Sequence, residues 1–255
     1  MEIGWRKKFD FVVVVCTPSR AKSCVDPLKR ELDRVGLDVD LFQWGSPLMW
    51  ERRWASLHNC KRGLWDSHAN SRNSTMNHFA AIYTAHALGM RRVLLIEDDI
   101  RFLKDLGLLK DLIESAPEEV DIIQMDAIPA ARNRSAPWVD VFKAGISPPE
   151  THRWVSDIVG DIHSFGCIAL NRNAQRWIID IERNIFSKGA RAVLIDALLA
   201  AGWLVGGRIS RAMSVPLVAR QVDIGGVQFN THGRFGCPWN GWYDTITAYR
   251  CKYGE

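Results

Sequence analysis

Three consecutive carboxylates, Glu97-Asp98-Asp99, follow the apolar run Val93-Leu94-Leu95-Ile96. Side chains alternate along an extended strand, so Glu97 and Asp99 share one side and Asp98 faces the other. Charges packed this closely repel one another unless water, hydrogen bonds or a cation offsets the repulsion. A hard divalent ion, Mg²⁺ or Mn²⁺, is the natural partner, held by one or two carboxylates together with substrate phosphates. The competing reading is a solvated acidic turn that caps the next helix. In open α/β sheets, ligands bind beyond the carboxyl ends of the strands, and the triplet falls at such an end.

The elements that must position it follow from periodicity. Phe9 to Val15 reads as a strand buried on both faces, and Val39 with Leu41 as a short second strand. Between them, Asp26-Pro27 predicts a helix start, Leu28, Leu32 and Val35 its buried stripe, and Gly36 its stop. A second helix is expected from Ser74 or Thr75 to Gly89, carrying Phe79, Ile82, Tyr83 and Ala87. After the acidic triplet come a helix on Leu106, Leu109, Leu112 and Ile113, a strand over Val120 to Met125, and a long proline-containing loop from Ala127 to Thr151. Ser164 to Leu170 reads as a strand, Asn171 as the cap of a helix bearing Ala174, Trp177, Ile178, Ile181 and Ile185, and Pro216 to Val218 as a last short strand. Alternating strands and helices predict an α/β fold with a mostly parallel central sheet and helices on both faces.

Composition bounds the rest. The chain has 255 residues, 47% hydrophobic and 24% charged, which excludes a disordered or fibrous protein. A single domain over 1–255 is expected, because no linker divides the chain. The net charge of +4 permits an anionic substrate without demanding nucleic acid. Arg6-Lys7-Lys8 before the first strand does not make a signal peptide, because Asp10 interrupts it and Thr17-Pro18-Ser19-Arg20 offers no small-residue cleavage site. Six cysteines without a C-x-x-C arrangement read as reduced thiols, and no stretch is long and apolar enough to span a bilayer. A cytoplasmic protein is expected.

The block from Asn77-His78 through Gly89 to Glu97-Asp98-Asp99 resembles glycosyltransferase family 25, the lipopolysaccharide-biosynthesis and collagen-galactosyltransferase type. Eighteen residues separate His78 from Glu97, as in that family, with Asn77 where the family has a serine; Ser67-His68 carries the literal dipeptide further upstream. Gly166 to Leu170, Ile195-Asp196 and Pro216 to Gln221 are similar to later family elements, so the resemblance runs from about Phe11 to Gln221.

It implies a GT-A-like nucleotide-binding sandwich. The 1–125 half would bind a nucleotide sugar, a UDP-sugar above all, and the 126–255 half the acceptor. Asp99, Asp98 and a histidine such as His232 would hold Mn²⁺ or Mg²⁺, while Thr17, Arg20, His78, Glu97 and Asp98 would contact the donor. His163 is a second candidate for the metal histidine. The activity implied is inverting transfer of a hexose to a saccharide hydroxyl, with Asp196 as base and Asp161 and Asp157 as rivals. Asp196 reads equally well as a plain helix cap, and His78 as a packed core histidine.

Other chemistries are weighed on the residues. No phosphate-loop, dinucleotide or nucleophile-elbow motif occurs. Asp98-Asp99 also suits a nucleotidyltransferase or a metal phosphohydrolase. Trp5 to Lys8, Trp50 to Trp54 and Arg172 to Trp177 interleave cations with aromatics; amphipathic segments with buried Trp and solvated Arg are the favoured reading, while the texture of a strand-binding surface keeps open a DNA acceptor with a modified base or a nucleic-acid-binding module. Arg91-Arg92 read as exposed charges at a helix end. The 11 tryptophans concentrate in irregular segments, where flat rings suit a sugar face or a base.

Overall fold

The computed structural model describes residues 2–16, 21–45, 69–126, 128–129, 153–156, 162–163, 165–187 and 209–221. Helix α1 (Trp5–Lys8) leads into β1 (Phe11–Val15), α2 (Ala21–Val35), β2 (Leu41–Gln43), α3 (Ala69–Ala87), β3 (Arg92–Glu97) and β4 (Ile100–Phe102). Then come α4 (Leu106–Glu114), β5 (Ile122–Gln124), β6 (Ile128–Pro129), β7 (Arg153–Ser156), β8 (Ile162–His163), β9 (Cys167–Asn171), α5 (Arg172–Ser187), β10 (Arg211–Val215) and β11 (Ala219–Gln221).

Seven strands form one sheet in the order β2-β1-β3-β9-β5-β10-β7. Strands β2, β1, β3, β5 and β10 run one way, and β9 and β7 run the other. The sheet is therefore mixed but mostly of one direction, as expected. Both faces are apolar because both are covered. Val12, Val14, Leu94 and Ile96 pack with Leu28, Leu32 and Val35 of α2 and Leu109, Leu112 and Ile113 of α4. Val13, Val15, Val93 and Leu95 pack with Phe79, Ile82 and Ala85 of α3 and Ala174, Ile178 and Ile179 of α5. Each of the Val, Leu, Ile and Phe side chains contributes about 1.5–3 kcal/mol by leaving water.

The helix stops are where the glycines stand. Gly36 has φ 62° and Gly89 φ 77°. After each, the next amide reaches back to close the helix, Leu37 N–H to the Leu32 carbonyl and Met90 N–H to the Ala85 carbonyl. Asp105 caps α4 by accepting from Leu108 N–H, and Asn171 caps α5 by accepting from Ala174 N–H.

Three expectations fail. Helix α2 begins at Ala21 and holds Pro27 inside it. Asp26-Pro27 marks a permitted first turn, not an obligatory one, and the helix forfeits one backbone donor there. Helix α3 starts at Ala69, upstream of Ser74. Residues 216–218 are not a strand but the turn between β10 and β11. Proline cannot donate to a ladder, Val215–Pro216 is cis, and Val218 N–H goes to Ser214 Oγ. Among the described residues, no helix is long and apolar enough to cross a membrane, and Cys16 and Cys167 are buried thiols outside any disulfide. Burial and the nearby Asp126 carboxylate push the Cys167 thiol well up, so it stays protonated.

Candidate functional site

The sheet brings one set of strand ends together. Gln43, Val15 and Glu97 align across β2, β1 and β3. Leu95, Ile168 and Gln124 align across β3, β9 and β5, so Asp126, two residues past Gln124, ends level with Glu97. The chain leaves β1 toward β2 on one side and returns through α3 to β3 on the other. That reversal of strand order is a topological switch point, the place beyond the carboxyl ends where ligands bind in open α/β sheets. Glu97-Asp98-Asp99 stands there.

Each carboxylate has a different setting. Glu97 Oε1 accepts from Ser74 Oγ at 2.9 Å and lies 3.7 Å from His78 Nε2, while the Glu97 amide donates to the Gly166 carbonyl at 2.6 Å. Asp98 and Asp99 form the turn between β3 and β4, and both are fully buried. Strand β11 pairs with β4, setting Gln221 opposite Ile100, the residue after Asp99, and Arg220 opposite Arg101. The Pro216-to-Gln221 element singled out in the sequence therefore returns beside the acidic turn.

His78 is fully enclosed on α3. Its Nδ1 lies 2.8 Å from the Ser74 carbonyl and 3.4 Å from Ser74 Oγ, and its Nε2 lies 3.3 Å from the Phe165 carbonyl. The Phe165 ring meets it edge-on at 5.2 Å. One residue earlier, Asn77 Nδ2 donates to the Cys16 carbonyl at 2.9 Å, fastening α3 to the end of β1. Ser74, rather than the residue adjoining His78, is the serine that meets it. The signal was present, since residues four apart share a helix face.

Sequence reasoning also missed Asp126. It is buried, and its Oδ1 accepts from Cys167 N–H at 2.8 Å. Nearby, Arg211 donates to Gln124 Oε1, and burial, opposed by Asp126, brings the Arg211 guanidinium down to about 10. No spacing rule announces this pair, because it forms only when β9 and β10 flank β5.

Thr17, Arg20, Asp157, Asp161, Asp196 and His232 lie outside the described residues, as do Trp50, Trp54, Trp65, Trp138, Trp239 and Trp242. His163 lies in β8, opposite Ile128. Among the described residues, no group of three or more His, Cys, Asp and Glu side chains is arranged to hold a metal. Asp98 and Asp99 offer hard oxygen donors on one short turn, and that fits an ion completed by phosphate oxygens and water.

Several tryptophans change role. Trp44 follows the Gln43–Val15–Glu97 row, is 41% exposed and stacks on Phe42, an open indole at the same end of the sheet. Trp5 is in the core and donates to the Val35 carbonyl, and Trp154 donates to the Leu112 carbonyl. Trp177 packs partly buried against the α3/α5 core. The strand-binding texture of Trp5 to Lys8 is thereby corrected: its ring is inside, Arg6 pairs with Asp40, and Lys8 pairs with Glu118. Arg92 is also corrected from an exposed charge. It is buried and donates to the carbonyls of Pro117, Glu118 and Val120.

No protein-family model matches the sequence, and no curated protein matches it. Solved structures do. A glycosyltransferase involved in the glycosylation of the major capsid of PBCV-1 aligns at TM-score 0.44 and 10% identity, over 87% of this chain and 99% of that one. A mannosyltransferase from Pyrobaculum calidifontis, in complex with GDP-Man and Mn²⁺, aligns at TM-score 0.44 and 13% identity, over 94% and 65%. A CMP:2-keto-3-deoxy-manno-octonic acid synthetase complexed with CTP aligns at TM-score 0.35 and 12% identity, over 89% and 98%. The likeness lies in the path of the chain, and the chemistry must come from the site's own side chains.

Proposed function

We propose that this chain is a metal-dependent glycosyltransferase that moves a hexose, galactose or glucose, from a uridine-diphosphate donor to a saccharide hydroxyl by inverting displacement. The observation that carries the reading is the acidic turn at the switch point between β1 and β3. A nucleoside diphosphate carries its charge to such a crevice, and a paired carboxylate turn is the side-chain set that an accompanying hard cation needs.

Asp98 and Asp99 would hold Mn²⁺ or Mg²⁺, with His232 as a third ligand. When bound, the ion supplies Lewis-acid stabilisation of the charge that develops on the leaving diphosphate. The chain's own residues do the rest. Ser74 and His78 fix the Glu97 carboxylate, which would meet the donor ribose. Asn77 ties α3 to the end of β1, where Thr17 and Arg20 follow and would meet the nucleotide. Trp44 offers an exposed ring on which a base or sugar face can lie. Asp196 would take the proton of the acceptor hydroxyl, with Asp161 as the rival base.

The test is release of uridine diphosphate from UDP-galactose and UDP-glucose in Mn²⁺, with and without chelator. Release that chelator abolishes and Mn²⁺ restores is expected. Release indifferent to chelator overturns the metal role. Asp196→Asn should bind donor as the wild type does and lose transfer. Lost donor affinity would make Asp196 a structural residue.

A further inference from the structure

A cleft lies at the opposite end of the sheet. It opens between α3 and α5 with a volume of about 660 Å³, within the usual range for small-molecule sites. Tyr83 and His86 of α3 line one wall, and Arg172, Arg176, Asp180 and Arg183 of α5 line the other. Arg92 pairs with Asn171, the residue before α5, so this cleft adjoins the start of β3 while the acidic turn follows its end. At about 3.3 Å per residue, the length of β3 separates the two by roughly 17 Å.

The charges there are unevenly matched. Asp180 lies 3.8 Å from Arg176 Nε. Neither Arg172 nor Arg183 has a carboxylate at ion-pair distance among the described residues. Arg183 sits over the Tyr83 ring at 5.9 Å, and the Tyr83 hydroxyl donates to Glu182. Burial together with Arg172, Arg176 and Arg183, partly opposed by Asp180, pulls His86 below its ordinary value. The imidazole and the three guanidiniums thus share the cleft.

We propose that this cleft binds a small organic phosphate, such as a sugar phosphate, at a site separate from the acidic turn. Guanidinium forks match phosphate oxygens, and here three of them surround one concavity. The Tyr83 ring and the Ile179 side chain give the organic portion an apolar wall. A nucleic-acid strand is the less fitting occupant, because stacking needs open rings, the Tyr83 ring lies under Arg183, and Trp177 is partly buried against the core.

The experiment is calorimetric titration with glucose 6-phosphate in the presence of chelator, which silences the acidic turn, and with glucose as the uncharged control. Saturable binding of the phosphate and none of glucose are expected. Arg172→Gln combined with Arg183→Gln should weaken it at least tenfold, and Asp99→Asn should leave it unchanged. In the wild type, the His86 ring resonances should move along the same titration, a readout that does not depend on a variant folding. The proposal is overturned by absent binding, by equal affinity in the double variant, by binding that leaves His86 unmoved, or by tighter, length-dependent binding of single-stranded DNA. Loss of binding in Asp99→Asn alone would place the phosphate at the acidic turn and also overturn it.

Discussion

The two ends of the central sheet handle charge in opposite ways. At the carboxyl end, Glu97, Asp98, Asp99 and Asp126 are all buried, and three of them follow the last residue of a strand. At the amino end, Arg172, Arg176 and Arg183 stand exposed around an open cleft, while Arg92 and Asp121 are buried and fully engaged by the fold. The contrast separates buried charges engaged by the fold from exposed charges around an open cleft. Arg92 spends its donors on three carbonyls, and Asp121 accepts from Ser210 N–H, Ser210 Oγ, Asn171 Nδ2 and Asn173 Nδ2. Glu97 is anchored in the same manner by Ser74. Arg172 and Arg183, by contrast, have no carboxylate at ion-pair distance among the described residues.

Substitutions at each end sharpen the comparison. The largest effect is expected at the acidic turn. Asp99→Asn should slow donor hydrolysis about 100-fold or more, the scale for removing one charge-stabilising group from a transition state. Stability, read by denaturant midpoint, should not fall in proportion. Next comes Asp121→Asn at the other end, where an amide cannot accept all four donors. It should cost about 1–3 kcal/mol at neutral pH.

Burial raises the Asp121 carboxyl, but the bonds from Asn173, Ser210 and Asn171 outweigh it, and the folded value lies below the ordinary 3.8. Its stabilisation is therefore complete above that value and lost as pH falls through the lower folded one. The gap between wild type and Asp121→Asn should close below about pH 4, and a gap unchanged to pH 2 would refute the ionised role. The smallest effect is Ser74→Ala, about 1 kcal/mol of stability for one lost hydrogen bond to Glu97. A loss of donor affinity there with unchanged stability would mean that Ser74 touches the donor directly.

Legibility in the sequence followed the range of the interactions. Strands β1 and β3 were plain because their apolar runs are contiguous, and the helix stops at Gly36 and Gly89 because a left-handed residue is a local requirement. The acidic turn could be placed at a strand end by the same local logic. Ser74 was visible only as a helix start, although its spacing to His78 already put both on one face. Asp126 and Arg211 were hidden because their proximity depends on β9 and β10 arriving from far along the chain to flank β5. The split of residues 211–221 into β10 and β11 was likewise set by pairing, β10 with β5 and β7, β11 with β4. Trp5 was ambiguous because an alternation of cations and rings reads the same whether the ring faces water or the core, whereas Trp177, read in the apolar stripe of its helix, does pack against the core.

The central claim is that the acidic turn holds a divalent ion against a nucleoside diphosphate. Calorimetric titration of Mn²⁺ into the protein, with uridine diphosphate present, tests it most directly. Saturable binding in the wild type that weakens at least tenfold in Asp99→Asn, with the fold intact by circular dichroism, is the result the account predicts. Equal Mn²⁺ affinity in the two proteins would contradict it.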